Sequence, residues 1–163
     1  MRARPALLAC ALLLATASHA GAAEWGLIEP GVSTTQSVRA RYGAPSRVDR
    51  EKVDNYDTEK WIYEGDRAPS GVIRLAIDFG LLQDNKYRPD VVRAFELTPH
   101  GSTFNRGLVA NGWGSPDRTG REGESDVYLY KDGLLVYFEP DGWNVKLMIF
   151  TIPQPRDPTE ERR

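Results

Sequence analysis

The segment Tyr42-Gly43-Ala44-Pro45-Ser46-Arg47 returns later in the chain as Trp113-Gly114-Ser115-Pro116-Asp117-Arg118. Each copy sets an aromatic before a glycine, a proline two residues on and an arginine two beyond that. Glycine supplies the positive φ that closes a helix, and proline stops the helix from resuming while holding the residue before it extended. A short chain that states this joint twice is expected to be a doubled unit, because a small unit buries its apolar face poorly alone.

The flanking residues agree. Before the first joint, Ser33 and Gln36 have capping-box spacing, and Val38 and Tyr42 share a helical face, which predicts a helix from Thr34 to Tyr42. Before the second, Ser102 or Thr103 is the candidate cap, Phe104 and Leu108 share a face, and Gly107 weakens the helix by roughly 1 kcal/mol. After each joint come aromatic-rich extended segments: KWIYEG, GVIRLAIDFG and VVRAFEL in the first half, DVYLYKDG, LLVYFEPDG and NVKLMIF in the second. Ile73, Leu75, Ile77 and Phe79 alternate with Val72, Arg74, Ala76 and Asp78, the period of a half-buried antiparallel strand. The tight-turn sequences KDGL and PDGW join later strands into hairpins. The expected fold class is therefore α+β, as two tandem repeats, each a short helix packed on a three-stranded antiparallel meander. The repeats span residues 24–97 and 98–152, and Leu81 to Pro89 forms a protruding loop.

Residues 1–23 read as a cleaved secretory signal: Arg2 and Arg4 precede an apolar run from Ala6 to Ala17 and then small residues. The run is about a dozen residues, short of the roughly 20 that span a bilayer. Cys10 has the setting of a lipoprotein site, but the apolar run continues past it, so anchoring through Cys10 is not expected. Removing the leader leaves no cysteine and takes the balance of 21 basic and 23 acidic residues to about −4. No dense basic run marks a nucleic-acid surface. Residues 153–163, proline-rich and charged, read as a disordered tail. The expected location is periplasmic or secreted.

Little in the sequence points to catalysis. The mature chain has one histidine, His100, too few for a usual zinc core, and no G-x-S-x-G elbow. Glu122 to Asp126 reads as a solvated loop rather than a calcium site. Asp49, Asp54, Asp57, Glu59 and Glu64 lie among polar neighbours, so paired-carboxylate hydrolysis is a remote alternative. No catalytic residue, cofactor or metal is assigned.

The chain does offer a sheet face. If Val127, Leu129, Leu134, Val136, Phe138, Val145, Leu147 and Ile149 turn toward the helix, the other face carries Tyr128, Tyr130, Leu135, Tyr137, Lys146, Met148 and Phe150. Trp61, Tyr63, Arg74 and Ala76 join it from the first half. Tyr, Trp, Met and Arg are the residues of interaction surfaces. Trp61, Tyr63, Arg74, Tyr128, Tyr130, Tyr137 and Met148 are thus the candidate partner-binding residues, unless that face packs within the chain.

A capped helix ending in G-x-P, followed by Trp61-Ile62-Tyr63 and a strand ending at Phe79, resembles the SmpA/OmlA domain of BamE type. In the second half the W-x-Y position is Tyr128-Leu129-Tyr130. Two such units in tandem resemble the architecture of the β-lactamase inhibitor protein. The resemblance implies an envelope protein working by contact with other proteins. The functional expectation is a non-enzymatic exported binding domain with an envelope or periplasmic protein as partner. The alternatives are an inhibitor of an envelope or secreted enzyme and, second, a carboxylate-dependent hydrolase.

Overall fold

A computed structural model describes residues 22–153. The leader assigned to residues 1–23 therefore lies outside the described residues as far as residue 21, Cys10 included, as does the tail from residue 154.

The chain runs α1 (Thr35–Tyr42), β1 (Arg47–Val53), β2 (Tyr56–Glu64), β3 (Val72–Gln83), β4 (Lys86–Pro99), α2 (Arg106–Trp113), β5 (Arg118–Glu122), β6 (Ser125–Tyr130), β7 (Leu134–Phe138) and β8 (Val145–Thr151). The eight strands form one antiparallel sheet in the order β1-β2-β3-β4-β8-β7-β6-β5. This corrects the expected fold class. The molecule is mostly sheet, with two eight-residue helices on a continuous eight-stranded surface, and not two helices each on a three-stranded meander.

Two causes account for the difference. The strands Arg47–Val53 and Arg118–Glu122 are charged edge strands without apolar alternation, so no hydrophobic period announces them. Charge on an edge is how a sheet discourages further pairing. The second cause is the pairing of β4 with β8, from Ala94↔Thr151 to Leu97↔Met148, which fuses both halves into one sheet. The expected loop at Leu81 to Pro89 is also a hairpin. β3 continues to Gln83, and Asp84-Asn85 at φ 51° and 59° make the turn, as Asp54-Asn55 do between β1 and β2.

Both joints form, one residue or more from where their caps were placed. Thr34 caps α1 and shares a capping box with Ser37, whereas Asn105 caps α2 through Leu108 N–H at 3.0 Å. Gly43 (φ 74°) and Gly114 (φ 77°) end the helices with extended ψ, their N–H groups donating to Arg39 O and Ala110 O at 2.9 Å. From the sheet, Tyr63 and Tyr130 send their hydroxyls up to donate to Gly43 O and Gly114 O, each at 3.1 Å. The joint is thus tied to the sheet by a tyrosine whose ring is core and whose hydroxyl is a clamp. Burial pushes the Tyr63 phenol up to about 12 and raises that of Tyr130, so both donate throughout the physiological range.

Tyr63→Phe and Tyr130→Phe keep the ring and remove the donor. Each is expected to cost about 1 kcal/mol in urea denaturation. Unchanged midpoints in both variants would show that the hydroxyl bonds contribute nothing.

Candidate functional site

Register assigns every strand residue to a face. One side carries the row Val48–Trp61–Ile77–Phe95–Phe150–Leu134–Tyr130, and beside it Tyr63–Leu75–Leu97–Met148–Val136–Tyr128. This is the helix side. Val38 of α1 and Val109 of α2 pack into the same core cluster, with Trp25, Tyr42, Phe104 and Trp113 against it.

That placement corrects most of the candidate binding residues. Trp61 (4% exposed), Tyr63 (0%), Tyr130 (6%) and Met148 (0%) are buried under the helices, and Tyr128 lies half-buried with them. Arg106, the first residue of α2, covers Tyr128 with its guanidinium 4.9 Å from the ring centroid, donating to the Tyr128 hydroxyl at 2.8 Å and to Asp126 at 3.0 Å. Arg74 and Tyr137 alone, of the seven, lie on the uncovered face. Arg74 faces Glu96 at 3.9 Å, and Tyr137 donates to Glu122 Oε2 at 3.0 Å.

Two local facts defeat the expected parity. In β6, the alternating pairs Val127, Leu129 and Tyr128, Tyr130 are both apolar or aromatic, so composition leaves the choice open. In β8, Phe138 pairs with Val145 while Tyr137 pairs with Leu147, so Lys146 is an extra, bulged residue. Val145 therefore faces the helices, and beyond the bulge Met148 and Phe150 replace Leu147 and Ile149 on that side. A usable signal was present in the first half: Lys60 and Glu64 flank Trp61-Ile62-Tyr63 in one parity, which turns both rings inward.

The uncovered face divides in two. Across β2, β3 and β4 it is closed by ions: Asp78 lies 3.4 Å from Lys60 and 3.8 Å from Arg93, and Ile62 and Ala76 are sealed beneath. Burial raises the Asp78 carboxyl, against the opposing pull of Lys60 and Arg93. Across β8, β7 and β6 it is apolar. Ile149, Leu135 and Leu129 form one row, Leu147, Tyr137 and Val127 the next, and all six are half-buried. Apart from Tyr137, these are residues that sequence reasoning left off the candidate list.

No family model matches the chain. No curated protein matches it either. Among solved structures it is similar to a DUF4309 family protein (YjgB) from Bacillus subtilis, at 10% identity and a TM-score of 0.41, over 77% of this chain and 82% of that one. That likeness lends this chain neither a fold name nor a function. The SmpA/OmlA resemblance is overturned by the architecture itself. Eight antiparallel strands in one sheet with two helices are unlike a BamE-type helix on a meander.

A cleft of about 690 Å³ between the start of α1 and the β1–β2 hairpin gathers Arg50, Lys52, Asp57 and Glu59. Arg50 pairs with Glu59 at 3.0 Å and Lys52 with Asp57 at 3.2 Å. The Trp61 indole N–H, donating at 3.0 Å, is the main cause that holds the Glu59 carboxyl below its usual range, with Arg50 assisting. A general acid needs the opposite shift. The carboxyl that is raised, Asp78, is not among the residues lining this cleft. Among the described residues, no group of three His, Cys, Asp or Glu could hold a metal ion, and no helix is long and apolar enough to cross a membrane.

Proposed function

We propose that this chain is a non-enzymatic, exported protein-binding domain whose contact surface is the apolar half of its uncovered sheet face. One observation carries the proposal. The two halves use the same helix, joint and tyrosine clamp, yet the positions that hold Lys60, Asp78 and Glu96 in the first half hold Val127, Tyr137 and Ile149 in the second. A solvated surface has no need of six adjoining apolar side chains, whereas a contact surface does. Export rests on the leader-like residues 1–23, and the lowered Glu59 carboxyl in the cleft, opposite to the shift a general acid needs, favours binding over hydrolysis.

The inhibitor alternative draws support from a different feature. The β3–β4 hairpin extends beyond β8, from Leu81↔Arg88 to Gln83↔Lys86, and leaves Leu82 48% exposed near its tip. Beside Leu82 the hairpin is braced against the neighbouring β1–β2 hairpin by the Tyr56–Tyr87 ring pair, centroids 4.4 Å apart, and by the Tyr87 hydroxyl donating to Asp57 O. A stiff hairpin of this kind suits insertion into a cleft.

A photo-crosslinking residue placed at Leu135 is expected to give discrete protein adducts in cells, at roughly tenfold the yield of the same residue at Lys52. Placed at Leu82, it tests the hairpin. Equal labelling from Leu135 and Lys52 would remove the face from consideration, and adducts from Leu82 alone would favour the inhibitor.

A further inference from the structure

We infer that the apolar half-face takes a second copy of this chain, sheet on sheet, about a two-fold axis running along β7. The inference rests on the reading of that face as a contact surface and names its occupant.

The row on this face crosses five neighbouring strands as Glu96 (β4), Ile149 (β8), Leu135 (β7), Leu129 (β6) and Arg118 (β5). Its middle strand is β7. Turning the row about β7 sets Leu135 over the partner copy's Leu135, Ile149 over Leu129, and Glu96 over Arg118. The neighbouring row behaves alike, with Tyr137 over its own copy and Leu147 over Val127. An interface with two-fold symmetry must be complementary to itself, apolar against apolar and each charge against its opposite. This face satisfies both demands with its ends acidic and basic and its middle apolar.

The local chemistry permits the exchange. Glu96 meets Arg74 at only 3.9 Å and is 38% exposed at its side chain, so its carboxylate can accept from a second cation. Arg118 has a contact within its own chain, and a guanidinium with five N–H donors can serve two partners. Sheets stacked in this way lie about 10 Å apart. Five strands at about 4.8 Å span roughly 20 Å. A patch of that width, apolar only across its three middle strands, is at the small end of specific interfaces, so association in the micromolar range is expected rather than an obligate dimer.

Sedimentation of the purified mature chain, from low micromolar to sub-millimolar concentration, tests this. The wild type is expected to move from monomer to dimer. E96R and R118E each set like charges together twice per dimer and are expected to weaken association roughly tenfold or more. Mixed in equal amounts, the two variants restore both opposite-charge contacts and should regain wild-type affinity, with circular dichroism confirming that each is folded. A wild type that stays monomeric throughout, or a mixture that associates no better than either variant alone, overturns the inference. The two readings fail separately. Crosslinks from Leu135 to other proteins with a monomeric wild type would leave the binding face standing, whereas a dimer whose Leu135 crosslinks only to its own kind would leave this inference standing alone.

Discussion

Replacing Phe150 with alanine is expected to lower the unfolding free energy by about 3–5 kcal/mol. Phe150 is fully buried and stacks on Phe95 with ring centroids 4.4 Å apart and planes 8° from parallel, while Trp113 meets it edge-on at 5.9 Å. Phe95 belongs to β4, Phe150 to β8 and Trp113 to α2, so one ring holds the strand pair that joins the halves and the helix above it. The cavity left by alanine is flanked by the Phe95 and Trp113 rings, which paired strands and a helix hold in place, so it cannot close in as a loop would. For a domain of ordinary stability, about 5–15 kcal/mol, such a loss leaves a sizeable unfolded fraction at modest urea concentration. Trp143→Ala is the control, because Trp143 is 53% exposed and its removal should stay within about 0.5 kcal/mol. Urea titration followed by tryptophan fluorescence and by far-ultraviolet circular dichroism should give a single coincident transition in each case, since the core cluster runs unbroken through both halves. A Phe150→Ala loss below about 1 kcal/mol would show that the seam relaxes and does not depend on this pair.

How far the sequence discloses this molecule depends on which forces leave a pattern. The joints were legible because glycine and proline act through their own backbone. Gly43 and Gly114 sit at positive φ, where the echo in the sequence puts them. The inner strands were legible where one parity is charged, as at Leu75 and Ile77 against Arg74 and Asp78. The edge strands were not, because β1 turns a single valine, Val48, against the core and β5 is exposed throughout, so neither carries an alternating buried set to reveal it. Nor was the pairing of β4 with β8, which depends on contacts far apart in sequence. The site was misplaced for a physical reason of its own. Tyrosine counts as a surface residue by its hydroxyl and a core residue by its ring, and Tyr63 and Tyr130 are both at once. Composition therefore pointed to the aromatic face, while the face left open is the plainer one of Leu129, Leu135, Leu147 and Ile149, displaced from the core in part by the single bulged residue Lys146.

Gly133→Ala is expected to cost about 2–4 kcal/mol, although it adds one methyl group at a turn. Gly133 stands between β6 and β7 at φ 93°, a conformation that L side chains rarely adopt. A Cβ there would come within 2.2 Å of Thr151 O and 2.9 Å of Ile152 O, far inside contact distance, and both atoms are backbone. Neither side can give way cheaply. Thr151 N–H donates to Gly133 O at 2.7 Å, Gly133 N–H donates to Tyr130 O at 3.1 Å, and the adjacent Asp132 O accepts from Ala23 N–H at 2.8 Å. The turn thus pins the last strand and the first described residues to one corner, and a displaced Gly133 must release one of them. Gly123→Ala separates the two causes, because Gly123 also has positive φ, 60°, yet a Cβ there meets nothing within 4 Å. That variant should show only the backbone cost, about 1 kcal/mol. The difference between the two variants measures the steric contact, and hydrogen exchange should locate it as lost protection at the Thr151 amide in Gly133→Ala alone. Equal destabilisation in both would mean that the backbone angle accounts for the whole effect and that Thr151 and Ile152 move aside freely.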